Sequence, residues 1–258
     1  MTGSLFARKT WFTADLHLGH ERIISLCNRP FETVDEMNKT IIEKWNERVD
    51  PQDTVWVLGN AASGAMHTPP RSTADGLVLC NQLHGHKILV AGDYDQCFHG
   101  YWDGNGAQTV ARRDFWTAQY RDAGGFADVV TGKAMLKRTG KPVIVPLRPE
   151  FGMAPVLSVQ LSHFPRAGDS PLDSSDRYAR YRPRPAGASK VDPWLVHGHV
   201  HNAWTVNGRQ VNVGVDVWDF APVSAETLLS VITEGMPSCD CSGESHQMGT
   251  PGCVLNGG

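Results

Sequence analysis

Seven residues, Leu195-Val196-His197-Gly198-His199-Val200-His201, constrain this chain more than any other stretch. An apolar run leads into three imidazoles at alternate positions. In extended backbone residues two apart share a face, so His197, His199 and His201 are expected to point one way. Imidazole is the commonest metal ligand among side chains that are neutral near physiological pH, which makes metal chemistry the leading reading of the cluster. An exposed strand face that is merely histidine-rich is the alternative.

Other metal-type side chains stand at the ends of further strand-like runs. Trp11–Ala14 reads as a short buried strand that delivers Asp15 and His17, and Thr54–Leu58 as a second that ends at Gly59-Asn60. Lys87–Ala91 ends at Gly92-Asp93-Tyr94-Asp95, and the alternating run Val156–Leu161 ends at Ser162-His163. Helical patterns separate the first three. Thr33 and Glu36 make a capping box, and Val34, Met37, Ile41, Trp45 and Val49 approximate one apolar face ahead of Pro51. Further helices are expected near Ala74–Leu83 and Arg113–Arg121. Strand alternating with helix argues for a layered α/β core, in which the carboxyl ends of strands converge on one edge where ligands bind.

The remaining segments are expected to be scaffold. Ala127–Leu136 and Pro142–Leu147 read as a hairpin about Thr139-Gly140, and Arg166–Lys190, without apolar periodicity, as a long loop. Ala203–Val206 and Arg209–Val213 flank Asn207-Gly208, a two-residue hairpin signal. Val223–Glu234 is a final amphipathic helix capped by Ser224. With 258 residues, 41% of them hydrophobic, the chain can build one large domain, expected over residues 1–235. Residues 236–258 turn Gly-, Ser- and Cys-rich and read as a disordered tail, with zinc binding by Cys239, Cys241, His246 and Cys253 as the alternative.

A formal net charge of -3 offers no general attraction for nucleic acid or a membrane surface, so any recognition of phosphate has to be local. The N-terminus lacks a long apolar segment and no run approaches a bilayer's width, which points to the cytoplasm. The scattered Cys27, Cys80 and Cys97 suit free thiols in a reducing compartment.

Taken in order, Asp15-Leu16-His17, Gly59-Asn60, Gly92-Asp93-Tyr94-Asp95, His163 and Gly198-His199-Val200-His201 resemble the calcineurin-like metallophosphoesterases, over about Thr10 to Phe220. That family's pattern is Asp-x-His, Gly-Asp, Gly-Asn-His-Asp or Glu, His, and Gly-His-x-His. Asn212–Asp216 and Asp15–His20 look most like its small phage and bacterial members. The resemblance implies a four-layer α/β/β/α sandwich with two divalent cations, manganese, iron or zinc, on one sheet edge. It implies that Asp15, His17 and His201 hold the first metal and His163 and His199 the second, with Asn60 at the bridging position and Asp93 completing the second site. Two such cations lower the pKa of a shared water, orient it toward phosphorus and neutralise the phosphoryl oxygens.

Three positions depart from the family. Its bridging aspartate is Asn60 here, its asparagine is Asp93, and its catalytic histidine is Tyr94. Formal ligand charge is unchanged but displaced. A carboxylate bridges two cations through two oxygens, whereas an amide presents one neutral oxygen, so Asn60 is expected to hold a shared pair poorly. Either Asp93 bridges instead or one metal binds weakly. A phenol, with a reference pKa near 10, is a poorer acid than imidazolium, which favours substrates whose leaving group is already good.

Tyr94, Asp95 and His20 are the candidate catalytic side chains beside these ligands. Capping the helix that follows is the alternative for His20, and filling space beside a dead site the alternative for Tyr94. His197 falls outside the family's ligand set and is expected to support it. Arg180 and Arg182, in the run with Arg177, Arg184, Tyr178 and Tyr181, are candidates to grip phosphate, with a solvated charged loop as the alternative. The function expected is a metal-dependent phosphodiesterase or phosphatase acting on a small substrate such as a cyclic nucleotide, 2′,3′-cyclic above others, or an aryl phosphodiester. A nuclease of the same superfamily and a catalytically lapsed metal-binding module are the alternatives.

Overall fold

Short runs of β-branched and aromatic residues account for most of the strands. The computed structural model describes residues 8–62, 70–98, 107–131, 143–146, 156–166, 178–184 and 192–234. In one sheet β1 (Thr10–Thr13), β2 (Thr54–Val57), β3 (His86–Val90) and β4 (Phe126–Val130) run parallel. In the second, β5 (Val143–Pro146) pairs antiparallel with β6 (Val156–Leu161), which is parallel to β7 (Trp194–His197), and that in turn to β8 (Gln210–Asn212). A two-residue strand, β9 (Val223–Ser224), closes the first sheet antiparallel to β1, giving the order β4-β3-β2-β1-β9. The architecture is α/β with two mixed sheets.

The helices are α1 (Arg22–Leu26), α2 (Val34–Arg48), α3 (Pro70–Cys80), α4 (Ala107–Asp122) and α5 (Ala225–Glu234). In α2 the Glu36 N–H donates to Thr33 Oγ1 (3.1 Å), while the Glu36 carboxylate accepts the Glu32 N–H rather than that of Thr33. Met37, Ile41 and Trp45 are fully buried, as the apolar face predicts. Ser224 caps α5 by accepting the Thr227 N–H (3.1 Å). Helices α3 and α4 begin earlier than the sequence pattern suggests. Among the described residues, no helix is long and apolar enough to cross a membrane.

One expectation is corrected and one falls largely outside the described residues. Of the stretches read as a hairpin about Thr139-Gly140, residues 132–142 are not among the described residues; among those that are, β4 lies on β3 and β5 on β6, in different sheets. The histidine strand stops at His197, and His199 and His201 lie in a turn with φ of 73° and 49°. The alternation rule therefore does not extend across the three imidazoles. The Asn207-Gly208 hairpin is present in short form, closed by the Val206–Val211 bridge and the Asn207 N–H to Gln210 carbonyl bond (3.1 Å). Cys27, Cys80 and Cys97 are buried free thiols. Residues 236–258, with the cysteines of the expected tail, lie outside the described residues.

Candidate metal centre

The parallel strands of both sheets deliver their carboxyl ends to one place. After β1, the N–H groups of Asp15, His17 and Leu18 donate to the carbonyls of Gly59, Asn60 and Ala61 beyond β2 (3.0, 2.8 and 3.2 Å). This zips the two loops together. The sheets meet where Ala14 bridges Gly214 and the Val215 N–H reaches the Ala14 carbonyl (3.1 Å). Gly59, at φ +88°, is required there: a Cβ would run into the His163 ring. Eight described non-glycine residues have positive φ, and five of them are Asp15, His17, Asn60, His199 and His201. Each costs about 1–2 kcal/mol, so the strain is concentrated where strand ends turn their side chains into a common space.

Two groups of buried ligand-type side chains result: Asp15, His17 and His201, and Asp93, His163 and His199. Within each group the ligand atoms lie within 4.8 Å of one another. Each group draws on both sheets, taking its carboxylate from the end of β1 or β3 and at least one imidazole from beyond β6 or β7. Their chemistry fits a divalent cation, since carboxylate with imidazole suits a borderline metal. His17 Nε2 and His199 Nε2, one in each group, are buried without a hydrogen-bond partner. A buried polar atom of that kind is costly unless something coordinates it. These groups can hold a metal ion.

Further contacts fix the orientation of the rings. His163 Nδ1 lies 2.7 Å from the Leu58 carbonyl, to which it must donate, so Nε2 faces Asp93 Oδ1 at 2.8 Å. His201 Nδ1 is backed by Asp216 Oδ2 (3.4 Å), and Asp216 is held by the fork of buried Arg29 (2.8 and 2.9 Å). The same guanidinium donates to the Asp15 and Leu16 carbonyls (2.7 and 3.1 Å). Cys27, His201 and Asp216 also cluster, but Arg29 takes both Asp216 oxygens, so that cluster backs His201.

Electrostatics separates the imidazoles. Burial, then the neighbouring His201, His20 and Arg29, holds His17 well below the ordinary histidine range. Burial pulls His201 down too, but the Asp15 charge and the Asp216 hydrogen bond outweigh it and raise it well above. His163 is likewise raised, burial being overcome by its hydrogen bond to Asp93 and the Asp15 charge. Burial pushes Asp93 up, but His199 and His163 together hold it well below the usual carboxylate range. A cation entering either group competes with protons on His163 or His201, so its affinity falls in acid.

The remaining expected residues are placed as follows. His20 is buried with Nδ1 3.2 Å from His17 Nδ1, and burial, then Arg29, lowers it to about 4. Tyr94 is half-buried, its ring 5.1 Å from His17 and 5.7 Å from His20. Asn60 stands between the groups, donating to Asp15 and Asp93. Asp95 is fully buried. Its oxygens accept the N–H groups of Asn60, Ala61 and Gly92 and the Tyr120 hydroxyl, so it braces the loops after β2 and β3. His197 turns away, its Nδ1 on the Gly198 carbonyl and its ring against Trp204 (4.8 Å). Arg180 is exposed and lies over the Tyr181 ring, and Arg182 donates to the Pro165 carbonyl (3.2 Å). Arg177 lies outside the described residues.

Sequence reasoning missed Arg29 and Asp216, whose roles rest on a contact 187 residues apart. It also missed the wall beside His199. There the stacked rings of Phe164 and Tyr178 (5.1 Å) sit edge-on to the imidazole at 4.9 and 6.1 Å.

No protein-family model matches the chain. A solved structure of a protein of unknown function from Aquifex aeolicus has the same fold, with a TM-score of 0.50 at 20% identity over 87% of this chain and 100% of that one. The gene 66 protein of Mycobacterium phage D29 is 31% identical over 232 residues, 88% of this chain and 98% of that protein. That of Mycobacterium phage L5 is 30% identical over 223 residues, 81% of this chain and 87% of that protein. With identity of that order along nearly the full length of both phage proteins, the chain belongs to the mycobacteriophage gene 66 protein family.

Proposed function

We propose that this protein is a metal-dependent phosphoesterase of the calcineurin-like kind, a phosphodiesterase for small substrates such as 2′,3′-cyclic nucleotides or aryl phosphodiesters. The four-layer α/β/β/α sandwich belongs to the same reading, as does action in the cytoplasm of an infected bacterium. The observation that carries it is the pair of buried carboxylate–imidazole groups, each with an orphaned imidazole nitrogen. Asp15, His17 and His201, and Asp93, His163 and His199, are the residues that would hold divalent metal. Bound there, such a cation supplies Lewis acidity to a phosphoryl oxygen and to an attacking water.

The chain's own residues do the rest. His163 is aimed by the Leu58 carbonyl and His201 by Asp216, so neither ring has to reorganise when substrate arrives. Tyr94 stands edge-on to His17, and its phenol is the group that would supply a proton to a departing oxygen. A phenol gives that proton up less readily than imidazolium, so good leaving groups suit this site.

The test is hydrolysis of bis-aryl phosphate and of 2′,3′- and 3′,5′-cyclic nucleotides with added manganese, alongside Tyr94→His. Turnover of the aryl diester is expected in the native protein, and Tyr94→His is expected to speed an alkyl diester about tenfold or more. Silence on every substrate, with metal bound, would favour the lapsed metal-binding module. An alkyl-diester rate unmoved by Tyr94→His would remove the role given to the phenol.

A further inference from the structure

Asn60 stands between the two ligand groups with its amide hydrogens, not its oxygen, turned toward them. Nδ2 donates to Asp15 Oδ1 (3.3 Å) and to Asp93 Oδ1 (3.2 Å), one carboxylate of each group. Oδ1 accepts the Tyr94 N–H at 2.9 Å. Turning the amide over would set its N–H groups against the Tyr94 N–H and its oxygen against two carboxylates. Three contacts therefore fix one orientation. A carboxylate at this position would offset the repulsion between two neighbouring cations. An uncharged amide with its positive end in the gap adds to that repulsion.

The two groups differ in what remains to hold a cation. Around Asp93 both imidazoles already converge on one oxygen, His163 Nε2 at 2.8 Å and His199 Nδ1 at 3.5 Å. The Leu58 carbonyl holds the His163 ring in that direction. Around Asp15 the carboxylate is engaged at both oxygens, Oδ2 by the His199 N–H (2.8 Å) and Oδ1 by Asn60. The Arg29 guanidinium, paired with Asp216, holds the Asp15 carbonyl at 2.7 Å and so fixes the backbone on that side.

We infer that the centre takes one divalent cation tightly, in the Asp93, His163 and His199 group, and that Asn60 keeps the Asp15, His17 and His201 group from filling beside it. The inference rests on the metal-dependent reading above, but it concerns loading rather than turnover. A phosphoester substrate, whose oxygens bring negative charge into the gap, is then what would draw a second cation in.

The experiment is equilibrium dialysis of the metal-stripped full chain against Mn²⁺, with elemental analysis of metal per chain. A plateau of about one equivalent is expected at micromolar free Mn²⁺. His17→Ala should keep it, His163→Ala should lose it, and Asn60→Asp should raise it to about two. Circular dichroism checks that each variant folds, and if His163→Ala does not, retention by His17→Ala still decides the pocket. Two equivalents of similar affinity in the native chain, or loss of the tight equivalent in His17→Ala, overturns the inference and leaves the metal-dependent reading standing. A plateau still at one in Asn60→Asp overturns the role given to the amide. Absence of binding by Mn²⁺, Zn²⁺ and Fe²⁺ alike overturns both.

Discussion

Arg29 joins parts of the chain that have no local reason to meet. Its side chain is fully buried, bonded twice to Asp216 and once each to the carbonyls of Asp15 and Leu16. It thereby fixes the backbone that carries Asp15 and, through Asp216, the ring of His201. Removing one partner of a buried pair strands the other as an uncompensated charge, so Arg29→Ala is predicted to lower stability by about 3–5 kcal/mol in urea unfolding at pH 7. The pH dependence of that difference has a definite sign. Burial pushes the Asp216 carboxyl up, but Arg29 and His201 overcome it and hold it well below the ordinary range. Its stabilisation is thus fully present above the unfolded value near pH 4 and is lost as the pH falls below it. The gap between native and variant should accordingly narrow from pH 4 downward.

Among the elements, the close approach of the β1 and β7 ends decides whether the ligand groups form. Gly198 sits at that approach, where a Cβ would collide with the Ala14 Cβ and come within 2.7 Å of Asp15 Oδ2. Gly198→Ala is predicted to cost about 1–3 kcal/mol by overpacking and to weaken Mn²⁺ binding in dialysis. Gly208, at φ +56° with nothing near its Cβ position, is the control. Gly208→Ala should cost about 1–2 kcal/mol through its backbone alone and leave metal binding intact. Much of this layer was legible in the sequence. Trp11–Ala14, Thr54–Leu58 and Lys87–Ala91 stand out as short apolar runs, and Thr33 with Glu36 marks the start of α2, because these signals are local. Which sheet β4 and β5 join was not legible, since an apolar run marks a strand without naming its partner. The turn at His199 and His201 was hidden for a related reason. Alternation describes extended backbone, and left-handed φ at a non-glycine residue is imposed by surrounding contacts such as the His199 N–H bond to Asp15. The carboxylates and imidazoles that gather in the two groups could be named from residue type and order. The bracing bonds of Asp95 were not legible, because the motif gives the residue type and not its hydrogen-bond partners.

Across the whole molecule, the ligand groups span two sheets whose contacts at this end include the Ala14–Gly214 bridge and the His163–Leu58 bond. In the Asp93 group the carboxylate comes from the end of β3, while His163 and His199 follow β6 and β7. A cation held there ties one sheet to the other, and these bonds are lost when the chain unfolds. Metal binding should therefore raise the stability of the whole fold by mass action, by about 2.7 kcal/mol when free Mn²⁺ is a hundred times its dissociation constant. For a chain of this size that corresponds to a rise of about 5–10 °C in Tm, to be read by thermal denaturation with Mn²⁺ against a chelator. His163→Ala should abolish the rise and His17→Ala should retain it, because the tight cation is assigned to the Asp93 side. A rise of equal size in both variants would mean that the cation acts elsewhere on the molecule. Its loss in both would mean that the two sheets are closed by ligands acting as one unit.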